Sequence, residues 1–250
     1  MQRRTVLQLL AGSALLQLLS SLAAAVSASS GVAARVSATE VAFLEDLQLR
    51  GCLYFSEQVG ASSGQVLDRA AAVPTPLSQS VSRDPRSLAS IAATGFGLTA
   101  LCIAEFRGYQ PRTAVIEQLR RTLRFHLAQL PHEHGFLYHF NHVDRGEPAR
   151  DSEVSPIDTA LLLAGALTAR ARYPSDPEIV QLATRLYERV DWPWMLSGGQ
   201  TLVLGWRDGK FLPGRWNHYC ELMMLYLLAI GSPTHPIAPA AWQAFSRPHI

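Results

Sequence analysis

Charge is scarce in this chain. Only 17% of its 250 residues are Asp, Glu, Lys or Arg, 22 basic against 20 acidic, while 48% are apolar. An average globular domain carries more charge and less apolar side chain. A formal net charge of +2 creates no strong basic field, which argues against nucleic acid and anionic membrane as partners. Cysteine is as sparse. The three present, Cys52, Cys102 and Cys220, each fall in a stretch that reads as an apolar helix. An odd count without a pattern predicts buried thiols, with a Cys52–Cys102 bridge as the alternative. No repeat of fixed period is found. Beyond the N-terminus no apolar run is long enough to cross a bilayer, the longest late one being Leu222–Ile230.

The N-terminus is the exception. Residues 1–28 place Arg3-Arg4 before a short apolar run that ends in Val26-Ser27-Ala28. This pattern reads as a twin-arginine-type export signal with a small-residue cleavage site. Its removal takes away two arginines and no acid, leaving a neutral mature chain with no membrane span. The expected location is periplasmic or extracellular. Residues 38–250 then form one domain, since a chain of this length buries a single sizeable core.

The organising stretch is 151–172, DSEVSPIDTALLLAGALTARAR. Ser155-Pro156-Ile157-Asp158 reads as a helix start, with Ser155 as N-cap, Pro156 in the first turn and Asp158 closing the capping box. From Ala160 to Leu167 the helix is apolar all round and must be covered on every side. Asp158 has two readings, a capping carboxylate favoured by the helix dipole or a catalytic acid. Glu153, in the loop just before, has no structural task visible in the sequence.

Five further helices are predicted. One follows the capping box Ser37–Glu40 with the stripe Val41, Leu44, Leu47, Cys52 and Phe55. Others cover about 87–106, 111–128, 176–190 and 216–230. Residues 60–86 read as a long Gly/Ser/Pro loop, and Arg207-Asp208-Gly209 as the turn of a short hairpin. Gly95 and Gly97 lie inside the second helix, where glycine is tolerated when a neighbour approaches closely. In order the helices read amphipathic, buried, amphipathic, buried, amphipathic, buried. That alternation suits two layers of helical hairpins, a ring or a solenoid, with the inner helices enclosed.

Several segments together resemble the glycoamylase-like family, bacterial proteins that include endo-β-1,2-glucanases and domains of cyclic β-1,2-glucan synthases. They are VLDRA (66–70), SIAATGFGLTAL (90–101), GFLYHFNH (135–142), SEVSPIDTALLLAGALTAR (152–170), LYERVDWPWM (186–195) and GWRDGKFLPGRWNHYCELMMLYLLAIGSPTHPI (205–237). The resemblance implies an all-α (α/α)6 toroid with short β-hairpin insertions, of which this chain is the N-terminal part with about three hairpins. A second chain completing the ring is an implied partner. It also implies hydrolysis of a β-glucan oligosaccharide or polysaccharide, β-1,2-linked by preference, with Glu153 and Glu221 at the family's acidic positions.

Glycoside cleavage needs one protonated and one ionised carboxyl across the scissile bond. Glu221, set among Cys220, Leu222 and Met223, is expected to be buried and to hold the proton. Glu153 suits the ionised role, with Asp158 as the third catalytic candidate and Asp144 and Asp151 in reserve. The resemblance favours inversion, with the carboxyls about 6.5–9.5 Å apart. Tyr138, Trp194, Trp206, Trp216 and Tyr219 offer flat faces to sugar rings. Asp68, Arg69, His139 and His235, on the matched segments, complete the expected substrate contacts. His132, His134, His139 and His142 fit no standard metal spacing, so neither metal nor cofactor is expected. The alternative function is a non-catalytic glycan-binding or assembly protein of the same fold. A lyase would instead work with Tyr, His and Arg.

Overall fold

A computed structural model describes residues 36–70, 87–149 and 151–247. The export signal and residues 71–86 of the predicted loop lie outside them. Residues 36–46, the start of the first helix, form a unit apart from the compact body that begins at Leu47.

Six α-helices occur among the described residues: α1 Ala38–Glu57, α2 Ile91–Phe106, α3 Arg112–Ala128, α4 Pro156–Arg172, α5 Pro177–Glu188 and α6 Leu222–Ile230. Three antiparallel strand pairs accompany them. β1 (Leu88–Ser90) pairs with β4 (Phe140–His142), β2 (His132–Glu133) with β3 (Phe136–Leu137), and β5 (Trp206–Arg207) with β6 (Lys210–Phe211). Asp208 and Gly209, both at positive φ, make the predicted two-residue turn of the last pair. The fold is mostly helical, with helical hairpins and small β insertions as expected.

The helix starts are built alike. Ser90 caps α2 by accepting from the Ala93 N–H, and Ser155 caps α4 by accepting from the Asp158 N–H. Four residues on from each serine, Thr94 and Thr159 donate back to the Ser90 and Ser155 carbonyls. Each threonine also accepts a backbone N–H, from Val66 and from Leu137 respectively. One polar residue therefore fastens each buried helix to the chain that enters it.

Gly95 and Gly165 explain why α2 and α4 pack so closely. A Cβ on Gly165 would overlap the Gly95 carbonyl oxygen, and one on Gly95 would overlap the Leu161 carbonyl. The expected close approach at Gly95 is thus that of a neighbouring helix, while Gly97 leaves room for a Val66 methyl. On the outer side, Arg120 and Arg124 of α3 pair with Asp176 and Glu178 at the start of α5.

Three expectations are corrected. Val41, Leu44 and Leu47 of the α1 stripe are exposed, and within α1 only Cys52 is buried. α2 begins at Ile91 and not at 87, because Leu88–Ser90 pair as a strand with β4. α6 begins at Leu222 and not at 216, because the backbone at Arg215, Trp216 and Tyr219 is spent on Val203, Leu202 and Ser246. That late start leaves Cys220 exposed, while Cys52 and Cys102 are buried free thiols.

Two stability tests follow. Gly165→Ala is expected to lose about 1–3 kcal/mol by overpacking, read from chemical denaturation. His126 is fully buried, and burial chiefly, aided by Arg189, holds its imidazole down at about 4 against the Thr122 carbonyl contact. The unfolded chain binds this proton near the ordinary histidine value of about 6.5, so it takes up protons first as pH falls. Stability should be full above that value and decline down to about pH 4. A His126→Gln variant should lose that slope whatever its absolute stability.

Candidate functional site

The two buried helices start at a small backbone ribbon. The His139 carbonyl accepts from the Ile91 N–H at the first residue of α2, and the His139 N–H donates to the Glu153 carbonyl. Val154 pairs with Tyr138 on one side and with Trp206 on the other, through both Trp206 hydrogen bonds, 2.8 and 3.0 Å. The Ser155 N–H donates to the Leu137 carbonyl, and the Asp68 N–H donates to the Leu88 carbonyl. Asp68, His139, Glu153, Asp158 and Trp206, distant in sequence, are in this way set at one end of α2 and α4.

Their side chains form a linked group. His139 Nδ1 lies 3.0 Å from Glu153 Oε1, and its Nε2 lies 3.4 Å from Asp158 Oδ1. The ring stacks on Phe140 at 3.7 Å between centroids. Asp158 keeps a capping task as well, though not the full capping box: its N–H donates to the Ser155 hydroxyl and its carboxylate accepts from that hydroxyl, while the Ser155 N–H goes to the Leu137 carbonyl. The capping reading of Asp158 is met in the structure, and the same carboxylate also faces His139.

The charges diverge. For Asp158, burial pushes the carboxyl above its ordinary value, with His139 and Ser155 offsetting only part and Glu153 adding to the rise. For Glu153, burial also pushes upward, but the His139 hydrogen bond, its own backbone amide and the positive charges of His139 and Arg207 outweigh it and hold the carboxyl low. Burial works to lower His139, yet Glu153, Asp158 and Asp68 together raise it. The arrangement is a glutamate whose proton affinity is held down by an imidazole whose own proton affinity is raised, with a second, buried carboxyl behind it.

One ligand atom from each of His139, Glu153 and Asp158 lies within 4.8 Å of the others, close enough to share a metal ion. The hydrogen-bonded imidazole accounts for the same closeness, each ring nitrogen facing a carboxylate. At that spacing, Glu153 and Asp158 are too near each other to hold between them the water of an inverting cleavage. Both carboxyls face the one imidazole.

The remaining candidates spread out from this group. Asp68 is ion-paired with the exposed Arg69 at 2.6 Å. Tyr138 is half-buried in the ribbon. Trp194 stands at the centre of an aromatic cluster, stacked under His134 at 4.4 Å and tilted against Trp206 and Phe211. Trp216 is half-buried with its Nε1 inside. Tyr219 and His235 are exposed. Glu221 is not buried in a helix as expected. It stands exposed at the N-terminal end of α6, outside the Glu153 group. The role of His139 as bridge was not foreseen. The spacing of Glu153 and Asp158, on either side of a helix start, was the available signal.

The structure can be compared with solved ones. It aligns with an endo-β-1,2-glucanase from Chitinophaga pinensis, solved as a sophorotriose and glucose complex, at TM-score 0.71 and 22% identity, over 80% of this chain and 49% of that one. A "putative glucoamylase" from Bacteroides caccae aligns at 0.69 and 28% identity, over 81% and 50%. The chain has a glycoamylase-like fold. A β-1,2-glucanase from Parabacteroides distasonis matches at 0.70 and 20% identity over 81% of this chain and 29% of that one. The family profile described as "Putative glucoamylase" matches residues 213–249. Comparison with curated proteins finds no match. The resemblance read from the sequence stands, and the chain spans about half the length of the Chitinophaga pinensis and Bacteroides caccae structures.

The charge arrangement is measurable. In an NMR titration His139 should hold its proton to a pH above the ordinary histidine value, and Glu153→Gln should bring that value down. Because the folded value is raised, the contribution of His139 to stability is full below the unfolded value of about 6.5. It fades as pH rises through the folded value.

Proposed function

We propose that this chain carries the acidic site of an exported glycoside hydrolase that cleaves β-glucan, with the β-1,2 linkage favoured. The observation that supports this most is Glu153, held ionised by His139 and lying one residue from the strand pair that brings in Trp206. The fold around it is shared with an endo-β-1,2-glucanase. In an inverting cleavage Glu153 takes a proton from water as the water oxygen bonds to the anomeric carbon. The bond from that carbon to the leaving oxygen breaks, and a second carboxyl protonates the leaving group. Glu221 is this chain's candidate for the second carboxyl. His139 fixes the orientation of Glu153, Asp158 backs His139, and Trp206 and Trp194 offer rings for the sugar to stack on. The twin-arginine-type signal sets the place of action in the periplasm or outside the cell.

A second reading, glycan binding without turnover, is favoured by Glu221, which stands exposed and outside the Glu153 group. The two part company in one assay. With β-1,2-glucan as substrate, new reducing ends should appear, and Glu153→Gln should slow their release by about 10²–10⁴-fold while calorimetric binding persists. Binding with no reducing ends in the parent protein supports the second reading. Unchanged turnover in Glu153→Gln removes Glu153 from the chemistry.

A further inference from the structure

Glu153 belongs to no helix or strand of its own. It lies between Asp151, which holds a left-handed φ of 66° without being glycine, and Ser155, the cap of α4. A side chain on such a stretch takes its position from the groups packed around it. His139 supplies two of these contacts, one from Nδ1 to the Glu153 carboxylate and one from its N–H to the Glu153 carbonyl. The others come from the strand that enters β5.

Gly205 lies directly against Glu153. It is buried, and its φ is not among the positive ones, so no turn there calls for glycine. Space does. A Cβ on Gly205 would stand 3.2 Å from Glu153 Cγ, 2.8 Å from the Val154 carbonyl oxygen and 3.2 Å from Leu212 Cδ1. The strand is not free to back away. Trp206 exchanges both backbone hydrogen bonds with Val154, and the Gly205 carbonyl accepts from the Leu212 N–H at 2.8 Å. Side chains alternate along a strand, so positions 205 and 207 face one way and Trp206 the other. From position 207 the Arg207 Nη1 donates to the Asp151 carbonyl at 2.9 Å. It thereby fastens the left-handed turn that leads into Glu153.

We propose that the strand from Gly205 to Arg207 is the positioning element of Glu153: the space left at 205 is the berth of its side chain, and Arg207 anchors the turn before it. A Cβ at 3.2 Å moves its neighbour by a few tenths of an ångström. The Glu153 Oε1–His139 Nδ1 contact of 3.0 Å would then pass the ordinary hydrogen-bond limit of about 3.2 Å. The consequence for turnover rests on the hydrolytic reading, while the placement itself does not.

The His139 proton reports the placement without any substrate. Glu153, Asp158 and Asp68 face this imidazole and raise its proton affinity, and Arg207 faces Glu153. In an NMR titration of the full chain, Gly205→Ala should lower the His139 value toward that of Glu153→Gln, with helix content unchanged by circular dichroism. Arg207→Gln, at an exposed site, should lower it as well. The sign is diagnostic, because loss of a nearby positive charge by itself raises the value of an imidazole. The parent value in a folded Gly205→Ala, or a raised or unchanged value in Arg207→Gln, overturns the proposal. Should Gly205→Ala fail to fold, Arg207→Gln decides alone. A chain that shows these shifts yet releases no reducing ends from β-1,2-glucan supports the placement and goes against the hydrolytic reading.

Discussion

Two helices touch backbone to backbone at Gly95 and Gly165, and most of the molecule follows from that contact. No side chain separates α2 from α4 at the crossing, so the start of each helix is held in a fixed relation to the other. The strands that feed them are pulled together by the same geometry. Val66 and Leu137 are tied to Thr94 and Thr159, and the chain between runs as β1, β4 and the Val154 pairing. A functional group built on such a frame needs no long loop to be positioned. His139 and Glu153 are placed by backbone hydrogen bonds from residues adjoining the helix starts, which is a stiffer arrangement than loops usually give.

The frame also governs the charges. The end of a buried helix is a poor place for an acid unless something compensates. Asp158 is compensated three ways, by the Ser155 cap, by the partial positive charge of the helix start and by His139. Glu153 sits one step further out and shares the same imidazole. The histidine is thus the common counter-charge of two carboxyls whose surroundings differ, and that difference drives their proton affinities apart.

Much of this was legible in the residues. The capping boxes and the apolar all-round runs announce six helices, and five of the six start within a few residues of their expected positions. The start of α6 was missed because its apolar and aromatic approach, 216–221, has the composition of a helix. Its backbone is nonetheless committed to Leu202, Val203 and Ser246, partners no local pattern reveals. The exposure of Glu221 follows from that shift and from nothing in its own neighbours. Glu153 and Asp158 could be singled out because they flank a helix start. Their bridge through His139 depends on register between strands fourteen residues apart and leaves no trace in spacing. The α1 stripe shows the opposite failure, since a periodic pattern states that a face is apolar and not what covers it.

Asp158 holds the Ser155 hydroxyl and faces His139 with the same carboxylate. A helix cap and the partner of an imidazole therefore meet in one side chain. Drift at this position is penalised twice, first as a loosened helix entrance and again as a histidine without its anchor. Positions 153 and 139 and the aromatic cluster around Trp194 carry no cap of α4, so a substitution there leaves the entrance of that helix closed.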